Sequence, residues 1–214
     1  MARSQCRSRA YGDNANTPSA IVSLKRLITT IGPEKMQGMP AGPETKREKK
    51  MFDAIEYQQR LQRLQVLIKK AELDAFVVRS DTNVMYLTGV DYYSAERKVL
   101  MIIPAQGEPQ LIVPRMEQER LGRAASVTQE NVLSYWEMDA KPGRGWRERF
   151  EESLGSAQRV GIEPFADADT VAALKDRDWQ VLPLVEDIRV IKSPVEIALT
   201  RRVAGYWTSA MNAI

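Results

Sequence analysis

Short β-rich runs alternate with amphipathic helical segments between Ile55 and Leu184, and this alternation is the strongest constraint on the fold. A first helix is predicted over 55–72, because apolar residues from Tyr57 to Ala71 recur at spacings of four and three and so share one face. Strands at 99–103 and 110–113 flank a turn-rich link that is typical of a hairpin. Helices alternating with strands, with one hairpin, predict an α/β fold with a mixed sheet flanked by helices.

The remaining elements follow from shorter patterns. Further strands are predicted at 75–78, 132–135, 159–162 and 181–184. Further helices are predicted from Asp81 or Thr82 to Leu87, over 115–125, from Trp146 to Leu154, and after Asp167 or Asp169. Gly89 is expected to end the second helix of the chain. The Asp-x-Asp spacing at Asp167 is interpreted as helix capping rather than as a metal site, because acidic residues favour helix N-termini.

The C-terminal segment carries a strong helix-start signal. Ser193 is predicted as the N-cap, Pro194 as the first helical residue, and Glu196 as the partner that completes a capping box. The helix should run toward Ile214 and protrude, as the opening element of something longer. Just before it, Glu186-Asp187 is expected to pair locally with Arg189.

Charge separates the chain into two parts. Residues 1–50 hold ten Lys/Arg against four Asp/Glu and several Gly-Pro pairs, which predicts a disordered basic extension. Residues 51–214 hold 21 against 24 and give no electrostatic footprint for nucleic acid. No apolar run approaches the roughly 18 residues of a membrane span. The single cysteine, Cys6, excludes an internal disulfide and fits a reducing, cytoplasmic compartment.

The sequence contains no histidine, which excludes Ser–His and Cys–His catalytic pairs and zinc sites of the His-x-x-x-His type. The best candidate for binding is the segment that follows Gly89, where Tyr92-Tyr93 and Arg97-Lys98 precede a strand. Loops on a rigid scaffold often carry binding residues, and an arginine there can hold a carboxylate with two hydrogen bonds. The alternative interpretation is an ordinary surface loop.

Four segments together resemble the N-terminal domain of the creatinase / Xaa-Pro aminopeptidase / prolidase family. They are Tyr57-x-x-Arg60-Leu61-x-x-Leu64, Leu73-Asp74-Ala75-Phe76-Val77-Val78, Asn83-Val84-Met85-Tyr86-Leu87-Thr88-Gly89 and Arg189-x-x-Lys192-Ser193-Pro194-x-Glu196-Ile197. The resemblance implies a three-layer α/β/α domain over 51–188, a basic extension over 1–50, and a junction with the first helix of a catalytic domain over 189–214.

The resemblance also implies where the chemistry of the family lies. Family peptidases hold two divalent metal ions on two Asp, one His and two Glu of a C-terminal "pita-bread" domain, and creatinase uses a histidine from that domain. None of these residues has a matching position here, so no catalytic residue, metal ligand or cofactor is assigned to this chain. In creatinase-like dimers, an arginine after the Thr-Gly signature helps hold the substrate carboxylate in the neighbouring subunit. Arg97 has the matching spacing, and Tyr93 lies on the same segment.

Two functions from different classes therefore remain open. In the first, the chain is the non-catalytic N-terminal domain of a hydrolase of this family, inactive alone, which supports dimerisation and closure of the substrate site. In the second, it is a stand-alone binding or dimerisation module derived from the family. Either implies a homodimer or association through the C-terminal helix, with neither nucleic acid nor membrane as partner.

Overall fold

A computed structural model describes residues 52–93, 97–138 and 144–212 of the 214-residue chain. The prediction of a disordered extension over 1–50 falls outside the described residues. The helices are α1 Ala54–Lys70, α2 Asp81–Thr88, α3 Gln118–Leu121, α4 Trp146–Leu154, α5 Ala168–Ala172, α6 Leu184–Val190 and α7 Pro194–Asn212. The strands are β1 Ala75–Val78, β2 Leu100–Pro104, β3 Gln110–Pro114, β4 Val132–Tyr135, β5 Arg159–Ile162 and β6 Asp178–Val181.

The strands form one mixed sheet in the order β4-β3-β2-β1-β5-β6. The pairs β1–β5, β5–β6 and β3–β4 are parallel, whereas β1–β2 and β2–β3 are antiparallel. The predicted hairpin is therefore β2–β3, and β2 alone runs against the other five strands of this sheet. The register pairs Phe76 with Ile103 and Val77 with Ile102, so successive residues of β1 face opposite sides of the sheet.

Each side of the sheet has its own hydrophobic core, which confirms the three-layer arrangement. One core packs α1, α2, α3 and α6 on the sheet and is centred on Leu64, Ile68 and Phe76. The other packs α4 and the segment after α5 on the opposite side, through Phe150 and Leu174. Burial on both sides explains why the central strands read as continuous apolar runs rather than as alternating patterns.

Local signals explain the helix boundaries. Asp53 caps α1 by accepting the Glu56 backbone N–H at 2.9 Å, and the buried face of α1 carries Leu61, Leu64 and Ile68 as predicted. The N-cap of α2 is Ser80, not Asp81 or Thr82, because the Ser80 side chain accepts the Asn83 N–H. These shifts of one or two residues are within the usual uncertainty of helix ends.

Two predicted elements were wrong in part. The last strand is β6 at Asp178–Val181, and the predicted strand at 181–184 instead leads into α6. The predicted helix at 115–125 is only a 3₁₀ turn, Arg115–Glu117, followed by one turn of α3. Gly122 ends α3, and a Cβ at Gly122 would lie 2.8 Å from a backbone oxygen of that turn.

The C-terminal helix α7 starts as predicted and protrudes as predicted. The Ser193 backbone N–H donates to Glu196 Oε2 at 2.8 Å, and the Glu196 N–H donates to Ser193 Oγ at 3.3 Å. None of the residues from Pro194 to Asn212 is buried. Among the described residues, none of the helices combines the length and the apolar character that a membrane span requires.

Candidate functional site

The sheet directs most of its loops of interest to one edge. The carboxyl ends of the five mutually parallel strands meet there, and so does the segment that enters the antiparallel strand β2. The chain leaves β1 for β2 on one side and returns to β5 on the other side, which makes β1/β5 the point where the strand order switches. Open α/β sheets commonly bind ligands in the crevice at such a point.

In this chain, the switch point is filled by a side chain of the protein itself. Glu163 follows β5 and is only 1% exposed. Its Oε1 accepts the backbone N–H of Arg79 at 2.6 Å and that of Ser80, at the start of α2. Burial raises the pKa of Glu163, although the hydrogen bonds it accepts act in the opposite direction. A carboxylate near a helix N-terminus is favourable, so Glu163 stabilises the start of α2 from within the domain.

Asn83 connects Glu163 to the end of the domain. Its Nδ2 donates to Glu163 Oε2 and to Glu186 Oε1, both at 2.7 Å. Its Oδ1 accepts a hydrogen bond from Arg189 Nη1 at 2.8 Å. A local ion pair of Glu186-Asp187 with Arg189 was expected, but in the structure Glu186 and Arg189 both bind the amide of Asn83. This single side chain therefore joins α2, the switch point and α6.

Arg60 makes the second long-range connection. It is buried, and its Nη1 donates to the backbone oxygen of Tyr86 at 2.8 Å. Its Nη2 lies 3.4 Å from Glu196 Oε1 in the first turn of α7. The rings of Phe52, Tyr57 and Tyr86 surround the guanidinium at 4.1–5.2 Å from their centroids. Cation–π contact and ion pairing together offset the cost of burying this charge.

Gly89 shows why the Thr-Gly signature requires glycine. Gly89 is the C-cap of α2 and adopts the left-handed conformation, with a φ of 74°. A Cβ at this position would lie 2.6 Å from Cζ of Tyr57, which belongs to the first family segment. The segments that carry the resemblance thus meet in space. We call the five polar residues at their centre, Arg60, Asn83, Glu163, Glu186 and Arg189, the motif hub. Its hydrogen-bonding groups are largely used within the domain, which makes it a scaffold.

The candidate binding residues lie on the segment 90–98, which we call the presenting loop. Its first end is anchored, because Val90 and Tyr92 are buried and Arg120 Nη2 donates to the backbone oxygen of Asp91 at 2.8 Å. Tyr93, the next residue, is 83% exposed. Tyr92 is thus packed in the domain, whereas the ring of Tyr93, one position later, faces solvent.

The second end of the presenting loop is also anchored. The Tyr135 hydroxyl accepts the Lys98 backbone N–H at 2.9 Å and donates to the Lys98 backbone oxygen at 3.0 Å. Burial raises the pKa of Tyr135 to about 12, so this hydroxyl keeps its proton at physiological pH. Lys98 Nζ pairs with Asp167, and Arg97 beside it is exposed. Residues 94–96, in the middle of this segment, lie outside the described residues.

Asp167 caps α5 as predicted, since its Oδ1 accepts the Thr170 N–H at 3.0 Å. It also pairs with Lys98 and, at 3.0 Å, with Arg79 Nε, which the sequence did not predict. Partial burial favours the neutral acid, but hydrogen bonds from Lys98 and Thr170 outweigh it and lower the pKa of Asp167 to about 2. Asp167 therefore stays ionised and joins Lys98, at the second end of the presenting loop, to Arg79, the residue that follows β1.

Both predicted binding residues, Tyr93 and Arg97, lie on the segment that enters β2 at this edge of the sheet. In the described ranges, no three His, Cys, Asp or Glu side chains gather as a metal site would require. The sequence analysis did not predict that Glu163 and Glu186 bind Asn83. One signal for Glu163 was available, namely a carboxylate placed directly after a buried strand.

Comparison with known proteins agrees with this architecture. The family model described as "Creatinase/Prolidase N-terminal domain" matches residues 60–191. The dipeptidase PepE of Mycobacterium ulcerans is similar at 24% identity and a TM-score of 0.55, over 69% of this chain and 40% of that chain. A proline dipeptidase structure from Streptococcus pneumoniae is similar at 24% identity and a TM-score of 0.52, over 62% of this chain and 98% of that chain.

The prolidase from Pyrococcus horikoshii shows the same relation, with 21% identity and a TM-score of 0.52 over 65% of this chain and 37% of that chain. The chain thus spans about two fifths of the length of PepE and of this prolidase. At these identities the solved structures establish the fold alone. No curated protein sequence matches the chain. The family match covers more than half of the chain and includes every residue of the motif hub, so the chain belongs to the creatinase/prolidase N-terminal domain family.

Proposed function

We propose that the chain is the non-catalytic N-terminal domain of an Xaa-Pro peptidase or creatinase-like hydrolase, and that it presents Arg97 and Tyr93 to a substrate held by a neighbouring subunit. The observation that carries this proposal is the presenting loop, which is anchored at both ends and exposes these two side chains. Family membership supports it, as does the likeness to proteins described as dipeptidases and a prolidase.

The chemistry of the two residues suits a substrate with a free carboxylate. The planar guanidinium of Arg97 can bind a carboxylate with two parallel hydrogen bonds, and the Tyr93 ring and hydroxyl add an apolar surface and one polar contact. Anchors on both sides of the loop lower the entropy that must be lost when substrate binds. The role is therefore positioning, with bond cleavage left to a separate catalytic domain.

The proposal assigns no metal or cofactor to this chain. The divalent metals of family peptidases would be held by the catalytic domain. We propose a homodimer in the cytoplasm, with neither nucleic acid nor membrane as partner. The near balance of 21 basic and 24 acidic residues over 51–214 supports the first of these exclusions.

An activity assay tests the non-catalytic part of this proposal. The purified chain is expected to hydrolyse neither Xaa-Pro dipeptides nor creatine, with or without manganese, cobalt or zinc. Metal-stimulated turnover that copurifies with the homogeneous chain and disappears with a chelator contradicts the proposal.

A chimaera tests the positioning part. Residues 52–193 would replace the corresponding domain of M. ulcerans PepE, with the junction at Ser193 so that the catalytic domain keeps its own first helix. Arg97→Ala in the chimaera should raise KM for a dipeptide at least about tenfold, the usual effect of losing a charged hydrogen bond, and should change kcat less. An unchanged KM in the Arg97→Ala chimaera removes the role assigned to Arg97.

The second candidate function is a stand-alone binding or dimerisation module derived from the same family. The exposed apolar side chains along α7 favour it, because a helix with such a surface and no buried residue offers an unused contact face.

A further inference from the structure

The base of α7 buries little apolar surface against the domain. None of the residues from Pro194 to Asn212 is buried, and within this helix only Glu196 and Leu199 are partly covered. The chain enters α7 through Val190 and Ile191, which are each 74% exposed. Apolar burial therefore does little to fix the direction in which α7 leaves the domain.

Arg60 is held rigidly inside the domain before it meets α7. Its Nη1 donates to the backbone oxygen of Tyr86 at 2.8 Å, its Nε lies 3.3 Å from Glu56 Oε1, and three aromatic rings enclose its guanidinium. Its Nη2 is buried and makes no hydrogen bond to the described residues, but it lies 3.4 Å from Glu196 Oε1. Because an unpaired charge is costly to bury, the carboxylate of Glu196 is required at this place.

Glu196 uses its two carboxylate oxygens for two different contacts. Its Oε2 accepts the Ser193 backbone N–H at 2.8 Å and so belongs to the cap of α7, whereas its Oε1 faces Arg60. The cap fixes the carboxylate relative to the first turn of its own helix. A contact between this carboxylate and a rigid group of the domain therefore also orients the helix.

We infer that Arg60 is a positioning residue that sets the angle between the domain and α7, acting through Glu196. We call this pair the junction clamp. Both partners lie in this chain, so the clamp forms whatever α7 packs against further along. Its consequence for catalysis rests on the proposed function, in which α7 leads into the catalytic domain. There, the angle at the clamp determines where the presenting loop stands relative to the catalytic groups.

Distances between two spin labels test the junction clamp in the full chain. Lys69→Cys in α1 and Ser209→Cys in α7 carry the labels at exposed positions, and Cys6→Ser removes the one native thiol. An excess of unlabelled chain suppresses distances between molecules. The chain with its clamp intact is expected to give one narrow distance distribution.

Glu196→Gln is the variant that opens the clamp. Glutamine also completes a capping box, but its amide has a single acceptor oxygen, which serves either the Ser193 N–H or Arg60. The ratio of undocked to docked α7, measured from the areas of the distance peaks, should rise at least about tenfold, because the buried charge of Arg60 loses its anion.

Two further variants separate the clamp from the cap. Ser193→Ala removes the Oγ that accepts the Glu196 N–H but keeps the carboxylate beside Arg60, so its distance distribution should stay narrow. Arg60→Met should broaden the distribution as Glu196→Gln does, and the double variant should broaden it no further, since the two residues act as a pair. Glu196 lies outside the core, so Glu196→Gln tests the clamp even if Arg60→Met does not fold.

A broad distribution in the chain with an intact clamp overturns the inference. So does a narrow distribution in Glu196→Gln while its circular dichroism shows a folded domain. Equal broadening in Ser193→Ala and Glu196→Gln also overturns it, because helix capping rather than the ion pair would then set the angle. Arg97→Ala should leave the distances unchanged, so a failure of the proposed substrate contact and a failure of the clamp are distinguished.

Discussion

The motif hub and the presenting loop differ in what their side chains contact. In the hub, Arg60, Asn83 and Glu163 are buried, and their polar groups mostly bond to other parts of the domain. In the presenting loop, Tyr93 and Arg97 are exposed, and the anchors are the neighbouring Tyr92 and Lys98. Several residues by which the family is recognised thus bond within the domain, whereas the two proposed to bind substrate are exposed.

We expect mutations in the motif hub to lower stability strongly and mutations of the exposed loop residues to change it little. Asn83→Asp should give the largest effect on stability. The substitution keeps the size of the side chain but replaces the amide that donates to Glu163 and Glu186 with a third carboxylate. Loss of two buried hydrogen bonds and the added repulsion should lower the free energy of unfolding by about 3 kcal/mol or more. Urea unfolding at pH 7 measures it. Asn131→Asp, at a surface amide bonded to Thr128, is the control and should cost under about 0.5 kcal/mol.

Gly89→Ala should give the next largest effect. A methyl group there meets Cζ of Tyr57 at 2.6 Å and must adopt a left-handed φ of 74°. Steric overlap and backbone strain should together cost about 1–3 kcal/mol in urea unfolding. The matched control is Gly205→Ala in α7, where nothing lies within 4 Å of the added methyl. That variant should gain helix content and keep the stability of the domain, and equal losses in the two variants would disprove the special role of Gly89.

Glu163 in the motif hub and Asp167 at the anchor of the presenting loop should change the stability of the domain in opposite directions as the pH rises. The pKa of Asp167 is lowered to about 2, so its ion pairs stabilise the domain above its ordinary pKa of about 4 and are lost as the pH falls toward 2. The pKa of Glu163 is raised by burial, so its ionisation destabilises the domain as the pH rises through and above the ordinary glutamate range.

Asp167→Asn isolates the anchor contribution. The variant should lose less than about 1 kcal/mol at pH 7, because the pair is partly exposed and asparagine also caps helices well. Between pH 4 and pH 2, its stability should fall less steeply than that of the wild-type chain. Thermal unfolding at a series of pH values measures both slopes, and parallel curves for the two proteins would contradict the assigned pKa of Asp167.

The order of the elements could be predicted from sequence because the central strands and α1 have strong local patterns. The end of the sheet could not. β6 is exposed along its length and contains Asp178 and Gln180, so it lacks the apolar run that marked the other strands. The apolar run that does follow, from Val181 to Leu184, contains Pro183 and belongs to the entry into α6. Burial in three dimensions, rather than local propensity, decides between these alternatives.

The candidate site divides in the same way. The segment with Tyr93 and Arg97 was predicted to bind because a glycine-terminated helix, two tyrosines and a strand follow one another in the sequence. The partners of Asn83 were not found, because Glu163 and Arg189 are 80 and 106 positions away and only the fold brings them together. Local patterns predict which residues a loop carries, whereas the long-range bonds of a buried amide become visible only in the structure.

The smallest effect on stability is expected at the presenting loop itself. Tyr93 is 83% exposed and Arg97 is also exposed, so removing either side chain leaves no cavity in the core. Tyr93→Ala and Arg97→Ala should therefore each change the free energy of unfolding by less than about 0.5 kcal/mol, as surface substitutions usually do. Tyr92→Ala is the matched control one position away. Tyr92 is 8% exposed, so its truncation should cost about 3 kcal/mol or more in the same urea titration. A large loss of stability in Arg97→Ala would mean that Arg97 itself holds the presenting loop. No loss in Tyr92→Ala would mean that Tyr92 does not anchor it. Either result would contradict the contrast drawn between the motif hub and the presenting loop.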